Sequence, residues 1–190
     1  MDIIQTVKEY ILAANKKYAD EAPDHYDFWE QHVRFVVKES LILAEVYNAD
    51  KEIVELGALL HDIALMTKTG TRAEHHVNGK IIAEQLLSQI NCPSDKKERV
   101  LNCVLHHKSS KNAESIEELC VADADIIAHF DNIPMSFNHA YRSNITAIPD
   151  LLNFFAEDYA DLSDRTQKNF RSRYENIMTE LFGSFIEQNK

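Results

Sequence analysis

Glycine and proline are scarce, each occurring only four times in 190 residues. β-Sandwiches and barrels need many tight turns, so this scarcity argues against them and favours long helices with few connections. Long apolar runs are missing too. The longest cover only a few residues, far short of the ~20 that cross a bilayer, so no membrane span is expected. There is also no run of Lys or Arg. With 31 acidic against 20 basic residues and a net charge of −11, the chain has no basic stripe for a phosphate backbone. A nucleic-acid polymer is therefore not an expected partner, although a local basic pocket can still take a small phosphorylated molecule. Cysteine is sparse as well. Cys92, Cys103 and Cys120 show no CxxC spacing, and an odd count fits reduced, buried thiols in a cytoplasmic setting. The first eighteen residues are amphipathic with acids in the opening turns, unlike a signal peptide.

What is present reads as one soluble domain spanning residues 1–190. Hydrophobic and charged fractions of 45% and 27% are ordinary for a globular chain of this size. Apolar residues recur at helical spacing almost throughout, which predicts an all-α bundle of about eight helices. The first runs from Ile3 to Tyr18, and Pro23 and Asp24 mark a loop before a second from Phe28 to Tyr47. A third covers Lys51 to Leu65, followed by a polar loop from Thr67 to Arg72, and a fourth covers Glu74 to Gln89. The fifth runs from Ser94, a plausible N-cap, to His107, and the sixth from Ser115 to Phe130. Pro134 and Pro149 bracket a less regular stretch. A helical extension over about 150–188 closes the chain, its long last helix running from Ser163 to Gln188. The stripe Phe170, Tyr174, Ile177, Leu181 and Phe185 on that helix reads as core packing, with a homodimer seam as the alternative.

Histidine is the outlier, with nine residues. His61-Asp62 interrupts an apolar helical stretch between Leu56-Gly57-Ala58-Leu59-Leu60 and Ile63-Ala64-Leu65. Asp123 and Asp125 similarly break Leu119-Cys120-Val121-Ala122 and Ile126-Ile127-Ala128. Ionisable residues flanked on both sides by core-forming sequence are costly unless paired or metal-bound. Taken singly, each histidine reads as a hydrogen-bonded surface or core residue and each aspartate as solvated charge. His32, His75-His76 and His106-His107 lie on further helices, so a bundle can aim the whole set at one interior point. Imidazoles mixed with carboxylates suit Mn, Fe, Co, Ni or Mg, as one ion or two, better than an all-thiolate zinc site. Two histidines and two aspartates leave two octahedral positions, one for an acidified water and one for a polarised phosphoryl oxygen.

These residues carry a family resemblance. Tyr26-Asp27-Phe28-Trp29-Glu30-Gln31-His32-Val33-Arg34-Phe35-Val36 resembles the first motif of the HD-domain superfamily of metal-dependent phosphohydrolases. Leu59-Leu60-His61-Asp62-Ile63 resembles its defining motif, and Ala122-Asp123-Ala124-Asp125-Ile126-Ile127 its closing aspartate. Glu74-His75-His76-Val77-Asn78-Gly79 and Leu105-His106-His107-Lys108-Ser109 resemble the further histidine motifs of members that bind two metals. The resemblance spans roughly residues 27–130. It implies metal ligation by His32, His61, Asp62 and Asp125, with Asp62 also orienting or deprotonating the attacking water. Asp125 is preferred because Ile127 supplies the expected apolar residue two places on, and Asp123 stays as a neighbour or alternative ligand. His75 is preferred to His76, and His106 and His107 stay open; these histidines would complete a second metal site or bind phosphate.

Lys68, Arg72 and Lys108, with Lys111 and Arg142 behind them, are the candidate phosphate partners, against the bland alternative of solvated surface charge. Relatives that hydrolyse cyclic dinucleotides carry Gly-Tyr-Pro after the paired histidines. Here Lys108-Ser109-Ser110-Lys111-Asn112 follows, so that activity is not assigned. The function expected is hydrolysis of a small phosphoester, a nucleotide among the candidates, by a metal-activated water. A di-iron oxygenase on the same scaffold and a non-catalytic nucleotide-binding module are the alternatives.

Overall fold

A helix with a broad apolar surface belongs at the centre of a bundle, and Lys51–Leu60 is such a helix, with Ile53, Val54, Leu56, Gly57, Ala58, Leu59 and Leu60 all buried. The computed structural model describes residues 2–21 and 26–188 and contains no strand among them. Its helices are α1 (Ile3–Glu21), α2 (Arg34–Tyr47), α3 (Lys51–Leu60), α4 (Ile63–Met66), α5 (His75–Gln89), α6 (Ser94–His106), α7 (Ile116–Asp131), α8 (Ile133–Arg142), α9 (Ile148–Asp161) and α10 (Asp164–Gln188). The loop expected at Pro23 and Asp24 lies outside the described residues. Central α3 packs against α1, α2, α6 and α7, while α2 lies along α7 and α5 along α6.

Four departures from the sequence reading have physical reasons. The third helix is not continuous to Leu65: it stops at Leu60, and Asp62, at φ −103° and ψ 17°, breaks it before α4. The second begins with a π-helical turn, Trp29–Val33, before α2. Ser94 is not an N-cap but the first residue of α6, with extended Pro93 ahead of it. The stretch between Pro134 and Pro149 is mostly helical, because both prolines occupy the first turn of a helix, α8 and α9, where no N–H is required. The C-terminal stripe does pack inward, through Phe170, Met178 and Phe182, so the buried edge is rotated slightly from the one expected. Phe130 meets Phe170 at 5.4 Å between ring centroids, and Phe155 meets Phe182 at 6.0 Å.

Asp123 ties α10 to α7. Its Oδ1 accepts the backbone N–H of Ser163 at 2.8 Å, and its Oδ2 accepts the hydroxyls of Ser163 and Thr166, both at 2.6 Å. Thr166 in turn meets the Tyr47 hydroxyl at 2.7 Å. The core thereby joins the C-terminal extension to the helices that carry the histidines.

Gly57 sets the spacing at the centre. A Cβ there would stand 2.6 Å from Cys103 Cβ on α6 and 3.2 Å from Val121 Cγ2 on α7. Only a glycine lets α3 approach both helices so closely. Gly57→Val is therefore expected to destabilise by about 1–3 kcal/mol through overpacking, read as a lowered midpoint in urea unfolding. An unchanged midpoint would show that the helices separate at no cost.

Candidate metal centre

Three histidines of the interior are each aimed by the close of a helix or 3-10 turn. The last carbonyls of a helix lack intrahelical donors, and an imidazole three residues on can supply one. His61 Nδ1 lies 2.7 Å from Ala58 O, and His107 Nδ1 lies 2.7 Å from Val104 O. His75 Nδ1 is 2.7 Å from Arg72 O at the close of a short 3-10 turn, Arg72–Glu74. A carbonyl only accepts, so in these three rings Nδ1 donates and the neutral ring turns an Nε2 lone pair inward. His32 arrives on the π-helical turn, whose start is held by buried Asn15: its amide donates to Asp27 Oδ1 at 2.9 Å and its oxygen accepts the Trp29 N–H at 3.2 Å.

The nitrogens meet in two pairs, with one carboxylate between them. His32 Nε2 is 3.2 Å from His61 Nε2 and 2.9 Å from Asp125 Oδ1. Asp62 Oδ2 stands 3.8 Å from His32 and 3.6 Å from His61. Its other oxygen, Oδ1, is 3.3 Å from His75 Nε2 and 3.8 Å from His107 Nε2, and those two nitrogens are 2.9 Å apart. His61 and His107 are fully buried, at 0% and 1% exposure.

This donor set fits divalent ions. In neutral rings the lone pairs of His75 and His107 face each other with no proton between them, an arrangement that a cation relieves. Donor separations of 2.9–3.8 Å are those of neighbouring ligands around an ion at ~2.1 Å. His32, His61 and Asp62 form one group that could hold an ion, and Asp62, His75 and His107 another. Burial raises the pKa of both Asp62 and Asp125, but the neighbouring histidines outweigh it and hold the two carboxyls below their usual range. Burial drives the His107 imidazole down to about 4, with His61 adding to the fall, so at neutral pH its nitrogen is free to ligate.

Other candidates lie elsewhere. His106 turns to Glu118, its Nδ1 2.7 Å from Oε2, rather than to the cluster. Asp123 is occupied by Ser163 and Thr166, as described above, and burial raises its carboxyl. His76 is likewise in neither ligand group. A cavity of ≈530 Å³ opens on the cluster; Arg72 and Arg142 line it, whereas Lys68 and Lys108 do not. Lys68 pairs with Glu21 at 3.1 Å, Lys108 reaches Ala73 O at 3.4 Å, and Lys111 pairs with Asp161 at 2.9 Å.

The sequence reading missed His129 and Asp158. His129 sits one helical turn past Asp125 on α7 and groups with His32 and Asp125 around a possible ion position. Its Nδ1 is 2.9 Å from Asp158 Oδ2 on α9. Burial lowers this imidazole, but the bond and charge of Asp158, with Asp125 and Asp62 behind, raise it overall. The four-residue step from Asp125 was the available signal for His129. Asp158 had none.

The family profile of the HD domain matches residues 29–129, more than half of the sequence. The chain belongs to the HD-domain family. Solved structures support the same fold. A structure described as an HD-superfamily hydrolase from Bacillus thuringiensis superimposes with a TM-score of 0.69 at 18% identity, over 97% of this chain and 95% of its own. A Listeria innocua protein gives 0.68 at 18% identity, over 96% and 93%. A predicted HD-superfamily hydrolase from an uncultured Thermotogales bacterium gives 0.56 at 18% identity, over 86% and 91%. No curated protein matches the sequence.

Two measurements follow. Asp125→Asn is expected to lower metal content in elemental analysis at least tenfold, while Asp123→Asn keeps the metal and loses stability instead. Equal metal loss in both would undo the geometric distinction between them. The metal-free protein is also expected to weaken on mild acidification. Because the folded His107 stays neutral to about pH 4 while the unfolded one takes a proton near 6.5, the unfolded chain binds more protons in that window. Stability therefore falls as pH drops from 6.5 to 4, by about 3 kcal/mol from this residue. Urea titrations of wild type and His107→Gln check it, the variant losing this share of the slope.

Proposed function

We propose that this HD-domain chain is a metal-dependent phosphohydrolase that cleaves a small phosphoester of nucleotide size. The observation that carries the proposal is the Asp62 carboxylate standing between two imidazole pairs, each oxygen within 3.8 Å of two nitrogens. In this reading His32, His61, Asp62 and Asp125 hold one ion, and His75, His107 and the other oxygen of Asp62 hold a second. Bound divalent ions supply Lewis acidity, acidifying a water and polarising a phosphoryl oxygen.

The residues themselves do the rest. Asp62 fixes the spacing of the two halves and, in this reading, orients the attacking water or takes its proton. Asp158 orients His129 over the His32–Asp125 pair, so that a proton can be held on the cavity side of the centre. The cavity, at ≈530 Å³, has room for a small substrate. Its wall of Tyr18, Tyr26, Phe28 and Phe154 offers faces and edges to a planar group such as a base. No described helix is long and apolar enough to cross a membrane, consistent with a substrate met in water.

The test is elemental analysis of the purified protein, followed by phosphomonoester, phosphodiester and nucleotide assays with Mn, Co, Ni or Mg added to stripped protein. Phosphate release that requires metal is expected, with Asp62→Asn at least about 100-fold slower. A metal-replete Asp62→Asn variant at full speed would remove Asp62 from the chemistry. Two irons per chain with oxygen uptake and no phosphate release would replace hydrolysis by oxygenation, and tight nucleotide binding without turnover would leave a binding module.

A further inference from the structure

Two of the ligand groups share a residue that cannot serve both at once. His32 belongs to the group with His61 and Asp62 and also to the group with Asp125 and His129. Its Nε2 stands 3.2 Å from His61 Nε2 and 2.9 Å from Asp125 Oδ1. A neutral imidazole nitrogen has a single lone pair. His32 Nε2 therefore binds an ion in one group or in the other. The two groups are alternative positions for one ion rather than homes for two.

These positions run in order from water to the interior. His129, Asp125, His32 and Asp62 line the cavity, and His61 does not. Side-chain exposure falls along the same path: 38% at His129, 21% at Asp125, 13% at His32, 11% at Asp62 and none at His61. The rings of His129 and His61 both lie beside that of His32, at 5.8 and 5.2 Å between centroids. An ion arriving through the cavity meets His129 and Asp125 first. His129 is equipped to receive it. Asp158 Oδ2 engages its Nδ1 at 2.9 Å, which leaves Nε2 for a ligand. A carboxylate behind a ligating imidazole fixes the ring and strengthens it as a donor. The Ser136 hydroxyl also donates to the His129 carbonyl at 2.5 Å, so α8 and α9 both hold the residue in place.

We propose that His129, Asp125 and His32 form a loading site that captures a divalent ion from the cavity before it passes inward to His61 and Asp62. The inference rests on the metal centre of the phosphohydrolase reading and adds how that centre is filled. His32 and Asp125 keep hold throughout the transfer. The bond to His129 Nε2 breaks, and bonds to His61 Nε2 and Asp62 form. The ion therefore never has to exchange its whole set of donors in one step, which matters for ions that shed water reluctantly. After transfer the His129 nitrogen is free again, and it can then hold a proton at the cavity side.

The test follows cobalt(II) uptake by the metal-free full chain in stopped flow, through the absorption of the bound ion. Wild type is expected to load in two steps, a capture that depends on ion concentration and a transfer that does not. At low ion concentration the loading rate is the capture affinity multiplied by the transfer rate. A carboxylate behind a ligating histidine is worth roughly 10- to 100-fold in metal affinity, so Asp158→Asn should load at least about tenfold more slowly. His129→Phe, which keeps a ring without a lone pair, should be slower still, with folding of both variants checked by circular dichroism. Release to a chelator should slow by the same factor. Equilibrium affinity and ion count then stay as in wild type, because a site on the path changes neither end state. Any phase from the His75 and His107 position is unaltered in both variants. Wild-type rates in both variants would overturn the loading site. So would slow loading with an equal loss of equilibrium affinity, which would make His129 a permanent ligand. If wild type takes up no cobalt, the metal centre falls and the loading site with it. Loading as expected with no phosphate released from any ester would sink the hydrolysis and leave the loading site standing.

Discussion

The carboxylate of Asp62 reaches two imidazole pairs at once, with Oδ2 toward His32 and His61 and Oδ1 toward His75 and His107. Its place in the chain is bound up with the break between α3 and α4, which stops the most deeply buried helix of the bundle where the two ionisable residues begin. Several ionisable groups then share an almost dry interior. Transferring charge out of water costs several kcal/mol per ion, and attraction among neighbours offsets it only when the partners are well placed. Without a cation the carboxylates rely on the imidazoles alone, and the paired imidazoles repel. The centre is consequently a place where ion binding and folding stability are coupled, since whatever binds the native cluster and not the unfolded chain stabilises the fold.

The helices contribute more than position. A histidine beyond the last turn of α3, one beyond the last turn of α6 and one after the 3-10 turn each donate to the carbonyl three residues back. That bond satisfies a backbone acceptor and fixes the ring, so the tautomer presented to the centre is set locally, before any tertiary contact. The tertiary part is distance. Gly57 lets α3 approach α6 and α7 closely enough for His61 to lie 5.1 Å from His107, centroid to centroid. Gly79 does the same for α5, where an added Cβ would stand 3.3 Å from Val104 Cγ1 and 3.4 Å from His61 O. Close helix approach and ring orientation together yield donor separations that an ion can bridge.

The helical class and most helix positions were legible in the sequence, because a 3.6-residue apolar period survives without tertiary knowledge. That the histidines and aspartates gather was legible as a set, because such residues inside apolar runs are physically conspicuous. Choices between neighbours were not. His106 and His107 differ by about 100° around one helix axis, and only the placement of Glu118 on α7 shows which ring is already occupied. Asp123 and Asp125 pose the same problem two residues apart, resolved by Ser163 and Thr166 arriving from some forty residues away. His129 looked like one more helix histidine until α9 brought Asp158 to it. The prolines at 134 and 149 misled because proline both ends one helix and opens the next.

Charge separates the long-range behaviour of the molecule from the local behaviour of its cavity. At −11 overall, the chain repels an anionic substrate at a distance. In physiological salt, however, charges are felt over only ~8 Å, so capture depends on what stands within that radius of the cavity mouth. There Arg72 and Arg142 face Asp62, Asp125 and Asp158 on the walls, and divalent ions in the proposed centre would tip the balance to positive. With those ions bound, an anion would pass from a repulsive exterior into an attractive interior.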